Sequence, residues 1–108
     1  MKINLQKVCD KQTITREDGR KINEMIVSGW TKEEKIIIDF NNILIASVSF
    51  FDEAFGKLIF DYSKEYFKNN LNIINIEDYD RRLLNDILIS RYHQKELDLN
   101  VHSRSKKK

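Results

Sequence analysis

A run of branched apolar residues in the first half of the chain constrains the fold most strongly. Residues 36–40 read Ile-Ile-Ile-Asp-Phe, with no alternation between apolar and polar positions. β-branched side chains favour strands, and a strand without alternation is usually covered on both of its faces. Such strands are typical of parallel sheets that carry helices. The sequence therefore predicts that residues 36–40 form the central strand of an α/β domain.

Three segments show apolar residues at spacings of three and four, which is typical of amphipathic helices. They run from about residue 15 to 28, from 49 to about 69, and from the region 78–80 to about 93. The first opens with Thr15 and has Asp18 three residues later, an arrangement that satisfies the free amides at a helix start. We therefore expect helices in these three places.

Three further segments predict strands. They are residues 3–8, where apolar and polar residues alternate, the short run 43–48, and residues 71–76. The elements then follow the order strand, helix, strand, short strand, helix, strand, helix. This order predicts an α/β fold with a mixed or mostly parallel sheet of about four strands, covered by three helices and joined by right-handed crossovers.

The chain is expected to form a single domain with a short tail. Its 108 residues include no proline and only three glycines, so no flexible linker divides them. We assign residues 1–101 to the domain. Residues 102–108 are basic, and we expect them to form a solvated C-terminal tail.

Composition bears on the classes of partner. A formal net charge of +2 is too small to indicate a nucleic-acid surface. The longest apolar runs are far shorter than the ~20 residues of a bilayer span, and the N-terminus lacks a signal-like apolar stretch. We therefore expect a cytoplasmic protein without membrane contact. The single cysteine, Cys9, is interpreted as a partly buried thiol on a strand.

No cofactor or metal ion is expected. Gly56 lies inside a helical pattern rather than between a strand and a helix, so it does not indicate a phosphate-binding loop. His93 and His102 have no acidic residues at metal-ligand spacing and are interpreted as surface histidines. Asp52 and Glu53 are adjacent, so on a helix they point in different directions and do not form a catalytic carboxylate pair.

The junction from Ala46 to Asp52 is the candidate site, because ligands and partners of parallel sheets favour the loops after strand C-termini. Ser49 opens the second predicted helix and is expected to cap it, with Asp52 completing a capping box. Phosphorylation of Ser49 is the alternative, since a helix N-terminus stabilises a phosphate, but Asp52 would repel that phosphate.

The same region carries a family resemblance. Residues 36–43 are followed by the stretch 47–56, which reads Ser-Val-Ser-Phe-Phe-Asp-Glu-Ala-Phe-Gly. This combination resembles the core signature of STAS-like domains. It is similar to a bacterial family of unassigned function whose members carry a serine-rich turn, then Phe, any residue, Asp-Glu, any residue and Phe-Gly. In the related anti-sigma-factor antagonists, a partner kinase phosphorylates a serine at the start of the second helix. The resemblance implies the same role for Ser49 in this chain.

The resemblance implies a regulatory protein-protein interaction module rather than an enzyme. Its partner would be a regulatory protein such as a histidine-kinase-type ATPase, as in partner-switching systems. The expected contact surface is the turn and the exposed side of the second helix. Its residues are Ser47, Ser49, Phe50, Asp52 and Glu53.

Two alternatives remain at this stage. The first is a small enzyme or ligand-binding domain that uses Ser47 or Ser49 as a nucleophile. Such a nucleophile needs a base, and His93 and His102 are the available histidines. The second is a homo-oligomer that pairs through an exposed sheet edge.

Overall fold

The computed structural model of the protein describes the backbone of residues 1–106 and the side chains of residues 1–99. His102 and the basic tail predicted for residues 102–108 lie outside the described side chains. Among the described residues, no helix combines the length and the apolar character that crossing a bilayer requires.

Within this part of the chain, short strands form two parallel sheets. The first has the order β1 (Lys2–Asn4), β3 (Ile36–Asp39), β5 (Leu71–Ile74), and the second pairs β2 (Thr13–Ile14) with β4 (Ile45–Ala46). The predicted α/β fold, with parallel strands and a central strand near residues 36–40, is confirmed, although the strands form two sheets instead of the single predicted sheet of about four strands. The structure adds β2, which is too short for a pattern in the sequence to indicate it.

Helices cover the sheets and connect the strands. In chain order they are α1 (Leu5–Cys9), α2 (Arg16–Thr31), α3 (Val48–Phe51), a π-helical segment (Asp52–Gly56), α4 (Leu58–Asp61), α5 (Lys64–Asn70) and α6 (Asp78–Lys106).

The strand predicted over residues 3–8 is shorter than expected. It ends at Asn4, whose side chain accepts a hydrogen bond from the Lys7 amide at 3.0 Å and so caps α1. Ile3 and Leu5 are both fully buried, on either side of this change from strand to helix. Cys9 therefore lies at the end of a short helix rather than on a strand, and it is half-buried.

The long helix predicted from residue 49 to about 69 is divided into several pieces. Ser63 accepts a hydrogen bond from the Tyr66 amide at 3.1 Å and starts α5, while Tyr62 has extended backbone angles between α4 and α5. Serine favours a cap over a helix interior because its side chain competes for backbone amides. The apolar stripe is nevertheless buried, and Phe55 and Leu58 are at most 1% exposed.

The last helix is longer than predicted. It continues beyond residue 93 to Lys106, because no glycine or proline follows that would end it. Lys95 also fixes this extension to the domain, since its ammonium donates to the carbonyls of Ile59 and Tyr62 at 2.9 and 3.2 Å. The C-terminal end of a helix, here α4, carries partial negative charge and stabilises a cation placed beside it.

The core contains two groups of aromatic rings. Trp30 lies inside α2, which extends past the predicted end at residue 28, and its indole nitrogen donates to the Asn70 carbonyl at 3.0 Å. It is 3% exposed and makes edge-to-face contacts with Tyr62, Tyr66 and Phe67, which form the first group. The second group lies where α3 and the π-helical segment pack against the end of β3. Its members are Phe40, Phe50, Phe51 and Phe55, in edge-to-face, stacked and tilted contacts.

Asp39, at the end of β3, joins the turns that follow β3 and β5. Its Oδ1 atom accepts hydrogen bonds from the Asn75 side chain and from the Asn41 amide, both at 2.9 Å. These bonds, with the Lys2 ammonium 3.7 Å away, hold the pKa of Asp39 below its usual value of 3.8. Asp39 therefore stabilises the folded state through its ionised form.

We expect Asp39→Asn to lower the free energy of unfolding by about 1–3 kcal/mol at neutral pH. Because the folded-state pKa is lowered, the contribution is present above pH 3.8 and is lost as the pH falls through the lowered value. The difference in the free energy of unfolding between wild type and variant should therefore become smaller below pH 3.8, as measured by urea unfolding across a pH series. A gap that stays constant with pH would contradict this role. Asp61→Asn, at an exposed position, is the control.

Candidate functional site

The pairing of β2 with β4 places two helix starts side by side. Ile14 and Ala46 are opposite each other in the parallel register, and the Ser47 amide donates to the Ile14 carbonyl at 3.0 Å. Each strand leads directly into a helix, α2 after β2 and α3 after β4. The C-terminal edge of this small sheet is therefore where the two helices present their first turns.

One of the two helix starts is capped by the predicted residues and the other is not. At α2 the predicted arrangement is confirmed, because Asp18 accepts from the Thr15 amide at 2.9 Å. At α3 the cap is Ser47, whose hydroxyl accepts from the Phe50 amide at 3.0 Å. The predicted capping box of Ser49 is therefore wrong. The strand pairing ends at residue 46, so the helix begins immediately afterwards and the earlier serine takes the capping position.

We expect Ser47→Ala to lower the free energy of unfolding by about 1 kcal/mol, because it removes the hydroxyl that satisfies a free amide of α3. Ser49→Ala, the matched control in the same helix, should change it by less than about 0.5 kcal/mol. Urea unfolding of the two variants measures the difference. An equal loss for both, or a larger loss for Ser49→Ala, would contradict the assignment of the cap.

Two of the predicted contact residues face inward. Phe50 is 0% exposed and lies among the aromatic rings of the core, so it cannot contact a partner. Its prediction as a surface residue is wrong, because α3 is capped at Ser47, two residues before the predicted cap at Ser49. The Glu53 side chain is only 14% exposed and forms ion pairs with Lys57 and Arg20.

Asp52 is held in place by the last helix. Its carboxylate pairs with the guanidinium of Arg91 on α6, with Nε 2.7 Å from Oδ1 and a second bond from Nη2 to Oδ2. Such two-point pairs fix the geometry of both groups. Asp52 also opens the π-helical segment, where the Lys57 amide donates to the Asp52 carbonyl at 3.3 Å. π-Helical turns inside helices are frequent at functional sites.

Gly56 makes room for this pair. A Cβ atom built on Gly56 would lie 2.7 Å from Oδ1 of Asp52 and 3.5 Å from the side chain of Arg91. Any larger residue would therefore push against the carboxylate or the guanidinium. This explains the glycine inside a helical pattern.

An open groove of about 570 Å³ lies between α3 and α6 beside this ion pair. Of the predicted residues, Ser49 and Asp52 line it. Sequence reasoning missed the others, because no local pattern connects residues 86–91 with a turn that lies almost forty positions earlier. The lining residues are Arg16, Val48, Ser49, Asp52, Asp86, Ile87, Ser90 and Arg91.

Exposed apolar side chains lie at and beside β4, and one of them, Val48, also lines the groove. Leu44 is 70% exposed, Ile45 60% and Val48 56%, although all three are large hydrophobic residues. They were predicted only as part of a strand over residues 43–48, and the structure forms just the two-residue β4 there. Clustered apolar residues rimmed by polar ones often mark interaction sites. We call the set Leu44, Ile45, Val48, Ser49 and Asp52 the turn face.

His93 lies apart from Ser47 and Ser49. His93 lines a different groove, together with Lys64 and Tyr92, and the groove beside Ser49 has no imidazole among the described residues. The hydroxyl of Ser47 is used as the helix cap. In the described part of the chain, no three His, Cys, Asp or Glu residues come together as a metal site would require.

Comparison with known families gives one match. Residues 18–81 match the sequence model of a family described as "STAS-like domain of unknown function (DUF4325)". The match runs from the first turn of α2 to the first turn of α6 and includes the turn face. No curated protein and no solved structure matches the chain.

Proposed function

The chain belongs to the family of STAS-like domains of unknown function, and on that premise we propose that it is a regulatory module that binds another protein through the turn face. One observation carries the proposal: Leu44 and Ile45, at the start of β4, and Val48, at the start of α3, are 56–70% exposed. Their exposure has a cost in water that contact with a partner would remove.

The surroundings of the apolar residues support a protein as the partner. Interfaces combine a central apolar area with a polar rim that fixes orientation. Arg16 and the pair of Asp52 with Arg91 supply such a rim on the groove side. The groove is open rather than enclosed, so it suits a side chain or loop of a partner better than a small ligand, which is usually buried over most of its surface.

We further propose that the partner is a kinase-like ATPase, as the resemblance to partner-switching proteins implies. Because Ser47 caps α3, the hydroxyl of Ser49 is not required for the fold. A phosphate on Ser49 would add negative charge beside Asp52 in the groove, which would weaken the contact with a partner and release it.

The placement of the serines favours binding over catalysis. Ser47 uses its hydroxyl as a cap, and Ser49 shares its groove with two carboxylates, of which Asp52 is engaged by Arg91. A serine nucleophile is normally activated by a neighbouring base that a third group orients. In the groove beside Ser49, the neighbouring carboxylate of Asp52 is instead paired with the guanidinium of Arg91.

Quantitative affinity capture from the native cell tests the proposal. Tagged wild-type protein should recover a partner, and Leu44→Asp with Val48→Asp should reduce its recovery about tenfold, because two charges are placed in the apolar part of the contact. The matched control is Tyr79→Asp with Leu97→Asp, which also replaces two exposed apolar residues, 73% and 46% exposed.

The control should recover the partner as wild type does. If the turn-face variant recovered the same partner in the same amount, the proposed surface would be wrong. Thermal unfolding of each variant confirms that the comparison is between folded proteins.

A further inference from the structure

A second groove lies on the other side of α6, between this helix, α5 and the strand β5. It has a volume of about 480 Å³, within the range of sites that hold a ligand or a peptide side chain. Its apolar lining includes Phe67 and Leu71, which are 8% and 9% exposed, and Ile89, which is 66% exposed at the rim. The groove is therefore an apolar depression with an apolar margin.

The charged residues that line this groove have one sign. Lys64, Lys68 and Arg81 line it, and no aspartate or glutamate does so among the described residues. Lys64 lies over the ring of Tyr92, 5.6 Å from its centroid, so the aromatic wall holds the ammonium at the rim. This local excess contrasts with the whole chain, whose net charge is only +2.

Main-chain groups of a strand edge also reach the groove. In the sheet β1-β3-β5, β5 is the outer strand, and its Ile74 carbonyl accepts from the Phe40 amide. Neighbouring residues of a strand direct their main-chain groups to opposite edges, and the Ile73 carbonyl accepts instead from the guanidinium of Arg81 at 3.2 Å. The outer edge of β5 thus borders the groove with polar main-chain atoms.

We propose that this groove binds an acidic, amphipathic peptide segment of another protein. The apolar floor accepts the hydrophobic side chains of the segment, and the three cations pair with its carboxylates. The concave shape favours a peptide over a bilayer surface, which would contact only the rim. The surface is separate from the turn face, because its residues on α6 do not line the groove beside Asp52.

The helix geometry keeps the two surfaces apart. With about 100° between successive residues, positions 86, 87, 90 and 91 of α6 lie on one side of the helix. Positions 81, 85, 88 and 92 lie on the opposite side, and position 89, at the rim of the second groove, lies between the two sides. A partner on one surface therefore does not cover the other, and the two proposals can fail independently.

Fluorescence polarisation tests the proposal with a labelled peptide that carries glutamate and leucine at helical spacing. Wild-type protein should bind it, and the same peptide with glutamine in place of glutamate should bind about tenfold more weakly. Lys64→Glu with Lys68→Glu should also weaken binding about tenfold, because both side chains are exposed at the rim. Ile89→Ser should weaken it through the apolar contact.

The matched control is Lys7→Glu with Lys35→Glu, which changes the net charge equally at exposed positions outside the groove. It should bind as wild type does, as should Leu44→Asp with Val48→Asp. Equal weakening by the control pair, or failure of wild type to bind the acidic peptide, would overturn the proposal. Binding of phosphatidylserine vesicles or single-stranded DNA that is stronger than peptide binding and is lost in the groove variant would also overturn it.

A measurement on wild-type protein avoids any dependence on folding of the variants. Titration with the peptide should shift the amide NMR signals of residues 64–73 and 81–92, which surround the groove. Shifts confined to other parts of the chain would count against this site.

Discussion

Replacing Phe50 by alanine is expected to lower the free energy of unfolding by about 3–5 kcal/mol, the range for a large aromatic residue removed from a core. Phe50 is 0% exposed and contacts three other rings, with centroid distances of 5.6–6.2 Å. Alanine would leave a cavity that these rings cannot fill without shifting α3. Because small domains are stable by only about 5–15 kcal/mol, the variant should unfold at much lower urea concentrations.

Val48→Ala is the matched control for Phe50→Ala. Val48 lies two residues earlier in the same helix but is 56% exposed, so its truncation should change stability by less than about 0.5 kcal/mol. Urea unfolding followed by circular dichroism measures both variants. If Phe50→Ala were as mild as Val48→Ala, Phe50 would be a surface residue, and the start of α3 would have to be placed differently.

Gly19→Ala is expected to destabilise the protein by about 1–3 kcal/mol, the usual cost of overfilling a packed contact. Alanine normally stabilises a helix interior by about 1 kcal/mol relative to glycine. At Gly19, however, a Cβ would lie 2.7 Å from the Phe50 carbonyl oxygen and 2.9 Å from Cβ of Glu53. These atoms belong to or adjoin the backbone of the facing segment, so α2 and that segment would have to move apart.

Gly29→Ala, in the same helix, is the control for Gly19→Ala. Its new Cβ would meet the ends of two side chains rather than backbone atoms, Cδ1 of Ile36 at 2.5 Å and Cε of Met1 at 3.2 Å. The end of a side chain yields more readily than backbone, and alanine gains helix propensity, so we expect Gly29→Ala to lower the melting temperature less than Gly19→Ala does. Similar destabilisation by both substitutions would contradict the view that the close approach of α2 to the π-helical segment is what requires glycine at position 19.

The sequence allowed the frame of the fold to be predicted where a local pattern was strong. The run of β-branched residues at 36–38 indicated the central strand, and Thr15 with Asp18 indicated the start of α2. Both features depend on neighbours within a few positions. The parallel arrangement followed from the alternation of strands and helices.

Features that depend on distant contacts could not be predicted in this way. Ser47 and Ser49 are equally good helix caps by residue type, and the pairing of β4 with β2 decides between them. Likewise, the partner of Asp52 is Arg91, and nothing near either residue in the sequence indicates the other. Residues of the site that lie on α6 were missed for this reason.

Exposure was the second property that the sequence did not reveal. Leu44 and Ile45 form an apolar pair that is typical of a buried strand, and a short apolar run gives no periodicity to distinguish its faces. In the structure β4 has only two residues. They point to opposite faces, and Ala46 is buried while Ile45 is 60% exposed. The turn face therefore became visible only with the tertiary structure.

Hydrogen exchange on the protein in complex with its captured partner tests the turn face most directly. The amides of Val48 and Ser49 lie in the first turn of α3, where helix amides have no partner within the helix, so they should exchange rapidly in the free protein. In the complex, we expect exchange across residues 44–49 to slow markedly. Unchanged exchange in this segment, with protection confined to other parts of the chain, would contradict the account.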